Sequence, residues 1–308
     1  MDNALQLNEI ILTAAIVFVL LALICNLVVV TSRRSRRTTA VPAAVHVGAD
    51  RFEIPAIVEP PAPGMGRRDG PTGLALYATG FTVVGFVLTT VYLGIRMWLT
   101  GYGPFANQHE FAVSFVWGIL LAYLIAEWRF RIRALALVVL PIVAALMLYA
   151  MAQDTSVQPL IPALQNNLLL TLHVGFAILA YGAAAVSCGA AVLYLVHPRL
   201  AGRFRQFPEQ DVFDDLGYKA AAVTFPLLTI MIALGALWAD TAWGRFWGWD
   251  PKETAALVTW LIYGAYLHAR VTRGWQGSRS AWLLLLGFAA VLFAYFGNHF
   301  FGGLHSYG

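Results

Sequence analysis

The chain has 308 residues, of which 59% are hydrophobic and only 12% charged, and its mean hydropathy is +0.69. A soluble domain carries about 25% charged residues, so this composition excludes a water-soluble globular protein and makes lipid part of the solvent. The net charge of +4 is divided among short loops, which excludes nucleic acid as a partner and fits membrane loops that collect Lys and Arg.

A hydrocarbon core about 30 Å thick needs about 20 apolar residues of helix. Eight stretches meet that need in chain order: Ile10–Val30, Thr72–Ile95, Phe111–Ala126, Ala134–Ala152, Asn167–Val196, Ala220–Ala239, Thr254–Ala269 and Ala281–Asn298. The predicted fold is all-α, a polytopic integral membrane bundle of about eight transmembrane helices. The third and seventh stretches are short, and the fifth is long enough to tilt or project. The first is read as a retained anchor (residues 1–31) rather than a signal peptide, because Arg33, Arg34, Arg36 and Arg37 follow the apolar run instead of preceding it. Residues 32–71, rich in Pro, Arg, Ala and Gly, read as a poorly ordered cytoplasmic linker. Arg203–Leu216 reads as a short surface helix, and 72–308 form the remaining membrane domain.

Charge sets the orientation. With the N-terminus outside, segments 31–71, 127–133, 197–219 and 270–280 face the cytoplasm. They hold seven, three, four and three Lys or Arg residues, 17 of the chain's 20. The outer side keeps Arg96, Arg245 and Lys252. The positive-inside rule selects this arrangement, and an even number of spans puts both termini outside.

Cys25 and Cys188 lie in apolar runs, and the chain has neither C-x-x-C nor C-x-x-C-H. It is therefore not itself a c-type cytochrome, and both cysteines read as packing residues.

The most informative stretch is Trp243–Arg270, WGRFWGWDPKETAALVTWLIYGAYLHAR. It starts in an outer loop (243–253) and enters the seventh span. Taken singly, each Trp fits an interfacial aromatic belt. Trp243, Trp247 and Trp249 with Phe246, interleaved by Gly244 and Gly248, fit a flat apolar ligand better, since large π-faces stack on planar rings and glycine lets backbone approach. Asp250 reads as a helix N-cap, with Pro251 at the first helical position and Glu253 at the third.

Ionisable groups inside a membrane are rare and usually functional. His173 lies about 9 Å into the fifth span from its outer end. His305 follows the last span, and His299 near it is a rival. The topology thus places His173, His305 and the Trp-rich loop on one side, where two imidazoles are a usual axial pair for an iron porphyrin. His268 falls about 21 Å down the seventh span, near the inner leaflet, where it serves either as a satisfied hydrogen-bonding residue or as a ligand or relay. His109, beside Glu110, is left open in the same way, and His46 and His197 read as solvent histidines. Arg245 and Lys252 are the cations near the loop that would pair with heme propionates.

WGRFWGWDPKET resembles the tryptophan-rich WWD signature of heme-handling membrane proteins. ALVTWLIYGAYLHAR is similar to the CcsA/ResC branch of System II cytochrome c biogenesis. The resemblance extends more loosely from about Leu74 to the end, through LLLTLHVGFAILAY and GGLHSY. It implies that His173 and His305 are the axial pair of an external heme site, that His268 is the transmembrane histidine that helps carry heme, and that Trp243, Trp247, Trp249 and Asp250 present the heme edge. One departure is Thr254-Ala255, where many relatives have Thr-Trp. The resemblance further implies heme b as the cofactor, with heme moved through the membrane and presented on the outer face for thioether attachment to a C-x-x-C-H apocytochrome c. The implied partners are a ResB/Ccs-type membrane protein with an external domain and a thiol-reducing thioredoxin-like protein. The implied setting is the bilayer of the cell inner (plasma) membrane, with the chain as the heme-handling subunit of a cytochrome c synthase. A CcmC-like heme delivery protein of System I shares the signature but usually has six spans. A cytochrome b-like subunit would place paired histidines at matching depth, and a transporter of another molecule would carry acidic residues at the midplane.

Overall fold

The computed structural model describes residues 2–31, 73–157, 160, 164–165, 168–200, 207–297, 301 and 303. Within them the chain forms α1 (Asp2–Thr31), α2 (Leu74–Thr100), α3 (Gln108–Phe130), α4 (Ala136–Met151, entered through a 3-10 turn at Arg133–Leu135), α5 (Leu168–Leu200), α6 (Gln210–Trp243), α7 (Pro251–Arg273) and α8 (Ser278–Phe296). Among the described residues each of the eight apolar stretches corresponds to its own helix, and these residues contain no strand. The linker 32–71 lies outside the described residues.

Side-chain caps start α3 and α7 ahead of their apolar stretches. Asn107 accepts a hydrogen bond from the Glu110 backbone N–H (2.8 Å) and starts α3 before Phe111. Asp250 starts α7 before Thr254. Both helices therefore reach 23 residues, about 34 Å, and neither is short for a bilayer. The segment expected as a separate surface helix is, from Gln210 on, the beginning of α6. Phe213, Leu216 and Gly217 are buried there, so its apolar face continues that of the span. Residues 203–206 lie outside the described set. All the helices except α7 are both long and apolar enough to cross a membrane, and the chain is a multi-span membrane protein.

α5 is the central helix. Its apolar stretch is 83% buried, against 22% for α2 and 28% for α6, whose outer faces carry Val, Leu and Ile toward lipid. It packs on α3, α6 and α8. The crossing of α3 and α5 is close because Gly118 faces Gly182, and a Cβ on Gly182 would run into the Gly118 carbonyl. Small residues at the contact are how helices associate where lipid removes the hydrophobic drive. Buried hydroxyls of Thr82, Thr89, Thr224 and Thr259 donate to carbonyls four residues earlier in their own helices, which satisfies them without water.

Ion pairs pin both ends of the bundle. At one end Arg133 meets Glu127 (3.2 Å), which also accepts from Thr79, and Arg270 on α7 meets Asp214 on α6 (2.6 Å). At the other end Arg96 on α2 meets Glu110 on α3 (2.7 Å), both almost wholly buried. Arg96, expected as an outer loop cation, is thus a partner in a buried pair.

Candidate functional site

The α6–α7 connection is built by caps. α6 ends at Trp243, and the chain then runs through the loop to a capping box at α7. The Asp250 carboxylate accepts from the Lys252 N–H (3.1 Å). The Glu253 carboxylate accepts from the backbone N–H groups of Asp250 (3.1 Å) and Gly248 (2.8 Å). Two carboxylates therefore hold the Gly-Trp-Asp turn and place negative charge at the positive end of α7. Asp250 is buried, and Gly303 packs against it and Pro251 so closely that a Cβ on Gly303 would collide with both. Trp249 sits at φ 54°, the left-handed region, with 69% of its surface exposed. For a non-glycine residue that conformation costs about 1–2 kcal/mol, and it turns the indole outward.

Beneath this loop lies a cavity of about 380 Å³, in the size range of small-molecule sites. His173 of α5 projects into it near Trp247 of the loop, and Lys252 and Glu253 of α7 line it. Its far wall comes from Phe105–Gln108, at the start of α3, and from Gln153 and Asp154, after α4.

The setting of His173 is specific. Its Nδ1 lies 2.7 Å from the Met231 carbonyl oxygen on α6. A carbonyl only accepts, so Nδ1 carries the proton and Nε2 keeps the lone pair, the form in which an imidazole ligates a metal. The ring lies parallel to Trp238 (9° between planes, centroids 6.5 Å apart), and Trp243 meets Trp238 edge-on at 4.7 Å. Gly235 makes room for this: a Cβ there would lie 2.7 Å from His173 Cε1.

Lys252 stands at the loop end of α7, before the apolar stretch that begins at Thr254. Its ammonium lies 5.0 Å from the centroid of the Phe111 ring. Burial pushes it down to about 8, with the Asp250 carboxylate pulling the other way. Across the cavity, hydrogen bonds from the backbone and hydroxyl of Ser156 hold the Asp154 carboxyl below its ordinary range.

The structure thus brings His173, Trp247 and Lys252 to one cavity, with Trp243 behind His173 through Trp238. Trp249 stands at the rim, edge-on to Trp247 at 5.8 Å. Asp250 is the cap. Arg245 does not line the cavity; it is exposed and folds over Gly248. His268 is exposed on α7, about 24 Å along the helix from Lys252. α7 buries Tyr263 and Tyr266, and two residues beyond Tyr266 the helix has turned by about 200°. His305 and His299 lie outside the described residues, as does His46. His109, left open by the sequence, is buried and bonded to Tyr92 and to the Ala150 carbonyl (2.8 Å). His197 contacts the Pro208 carbonyl (3.0 Å). The sequence reading did not find Met231, Gly235 and Trp238. Their spacing of four and three residues marks a single face of α6.

Residues 106–305 match the family model described as cytochrome C assembly protein. The cytochrome c biogenesis protein CcsA of Guillardia theta is 37% identical over 255 residues, covering 74% of this chain and 84% of that protein. CcsA of Pyropia yezoensis is 32% identical, covering 80% and 89%. The chain belongs to the CcsA family of cytochrome c biogenesis proteins. Its fold is also that of the solved cytochrome c heme lyase CcmF, with a TM-score of 0.65 at 18% identity. That likeness covers 95% of this CcsA-family chain but only 46% of CcmF, so the chain spans about half the length of that protein. The match to the cytochrome C assembly model runs from Ala106 at the cavity rim through His173 and the Trp-rich loop to position 305.

Proposed function

We propose that this protein takes heme b as a substrate moved through the membrane, holds it in the cavity beneath the Trp-rich loop on the outer face, and presents it for thioether attachment to apocytochrome c. The observation that carries the reading is His173: an imidazole fixed by the Met231 carbonyl with its lone pair on Nε2, facing a cavity sized for a small molecule and covered by tryptophans. Family membership and the heme lyase fold of CcmF support it.

In this reading His173 supplies one axial ligand and His305 the other. Trp247 offers a face to the porphyrin, and Trp249, Trp243 and Asp250 shape the edge at which the vinyl groups meet the apocytochrome. Lys252 pairs with a propionate, and Arg245 contributes at the rim. Each cysteine thiol adds across one vinyl double bond: a C–S bond forms and the thiol hydrogen goes to the other vinyl carbon, with no net oxidation. The chain's contribution is proximity and orientation, which lower a barrier by about 7–11 kcal/mol when geometry is good.

In this reading the loop end of the bundle faces outward and residues 32–71 lie on the cytoplasmic side of the inner membrane, an orientation that the charge count supports. His268, on the bundle surface near the inner leaflet, is the relay by which heme approaches. A ResB/Ccs-type partner brings the external domain that docks the apocytochrome, and a thioredoxin-like protein keeps its cysteines reduced.

The test is the absorption spectrum of the detergent-purified chain, co-expressed with its partner, as wild type and as His173→Ala and His305→Ala. Reduced-heme bands that fade in both variants and return with imidazole support the reading. A wild-type protein that purifies without heme despite heme supply overturns it.

A further inference from the structure

The Arg96–Glu110 pair takes no part in the chemistry above, yet its bonds end on both loops that wall the cavity. Arg96 sits in the last two turns of α2 and Glu110 in the first turn of α3, 2% and 0% exposed. Arg96 Nε donates to one Glu110 carboxylate oxygen (2.7 Å), and Arg96 Nη2 donates to the Ser156 carbonyl in the loop after α4 (3.2 Å). The other Glu110 oxygen accepts from the Ala106 backbone N–H (2.9 Å). Asn107 caps the Glu110 N–H and reaches the same Ser156 carbonyl (3.4 Å). Residues 105–108 and 153–154 line the cavity. One buried pair therefore ties together two loops about 50 residues apart in sequence.

Stability alone does not account for such a pair. An apolar pair of similar volume usually serves a fold as well or better, because two charges have to be desolvated to form the bridge. What an apolar pair lacks is the directional grip on two backbones at once, which the planar guanidinium fork supplies. From these contacts we infer that Arg96 and Glu110 are positioning residues for the heme cavity, fixing the rim loops Phe105–Gln108 and Gln153–Ser156 against the bound macrocycle. The inference rests on the heme reading of this cavity.

The test compares heme titration, absorption spectrum and melting temperature of the full chain with its partner, as wild type, Arg96→Met/Glu110→Leu and Arg96→Lys. The double variant removes both charges together, so no lone charge is left buried. Arg96→Lys keeps the charge but gives up the fork, releasing the Ser156 loop while α2 and α3 stay paired. Both variants are expected to bind heme about tenfold more weakly, the scale on which supporting contacts tune a ligand site. Added imidazole should not restore them, although it restores His173→Ala. Wild-type affinity and spectrum in both variants, with His173→Ala still impaired, would overturn the positioning role and leave the heme site standing. If the double variant fails to fold, Arg96→Lys decides alone: a weakened, imidazole-insensitive site supports the inference and a wild-type site overturns it. Absence of heme from wild type and variants alike overturns the heme reading and this inference with it.

Discussion

Gly235→Ala offers the sharpest probe of how the cavity-facing His173 is held. The added Cβ would lie 2.7 Å from Cε1 and 2.8 Å from Nδ1 of His173. Carbon atoms pack at about 3.5 Å or more, so the ring has to move by about 0.8 Å. It is poorly placed to do so, because Trp238 lies parallel to it and the Met231 carbonyl holds Nδ1 at 2.7 Å. The hydrogen bond tolerates about 0.5 Å of stretch before it passes the usual limit of about 3.2 Å. The substitution therefore sacrifices either the bond that fixes the tautomer or the ring's aim into the cavity. Loss of such outer support typically lowers ligand-site affinity by about 10–100-fold, and overpacking costs about 1–3 kcal/mol of stability. Heme titration followed by absorption, beside a melting curve, reads both effects. Gly175→Ala is the control: it lies on α5 two residues after His173, and its added Cβ meets nothing within 4 Å. It is expected to bind heme like wild type. A Gly235→Ala protein with wild-type affinity and spectrum would refute the claim that Gly235 and Met231 set the imidazole.

Two further outcomes follow from the loop. If Lys252 pairs with a heme carboxylate, affinity is full while its ammonium is protonated and falls as pH rises through about 8. Glu253 and Asp250 are engaged in the cap, and hydrogen bonds from Ser156 hold Asp154 below its ordinary range, so a heme titration from pH 6.5 to 9.5, a span of roughly three units around that value, should slope for wild type and be flat for Lys252→Met; a slope kept in the variant assigns the titration elsewhere. Asp250→Asn keeps an acceptor for the Lys252 N–H and should melt within about 0.5 kcal/mol of wild type, whereas Asp250→Ala should lose about 1 kcal/mol. An Asn variant as unstable as the Ala variant would show that negative charge, rather than the acceptor, holds the turn.

The eight helices of the described residues were legible in the sequence because hydropathy adds along a stretch, and each corresponds to one of the eight apolar stretches. Their ends were less legible, because Asn107 and Asp250 extend α3 and α7 beyond what lipid alone demands. The cap at Asp250 was readable from D-P-K-E, since its partners lie within four residues. His173, Trp247 and Lys252 were readable as candidates, being chemically conspicuous side chains that topology sends to one end of the bundle. The direction in which His268 points was not. It depends on α7 burying Tyr263 and Tyr266, which its packing against α8, α6 and α5 decides.

The remaining pieces of the site have weak sequence signals for a physical reason. Met231 acts through a backbone carbonyl that any residue would supply, and Gly235 acts through the side chain it lacks. Arg96 and Glu110 each look like a loop charge until the α2–α3 hairpin places them 2.7 Å apart and almost wholly buried. A ligand set can therefore be proposed from residue types, while its precision rests on backbone positions and long-range pairs. If Arg96→Lys and Gly235→Ala both weaken heme binding while every residue proposed to touch heme stays intact, the affinity of this site is set as much by what supports His173 and the rim loops as by the groups that contact the macrocycle.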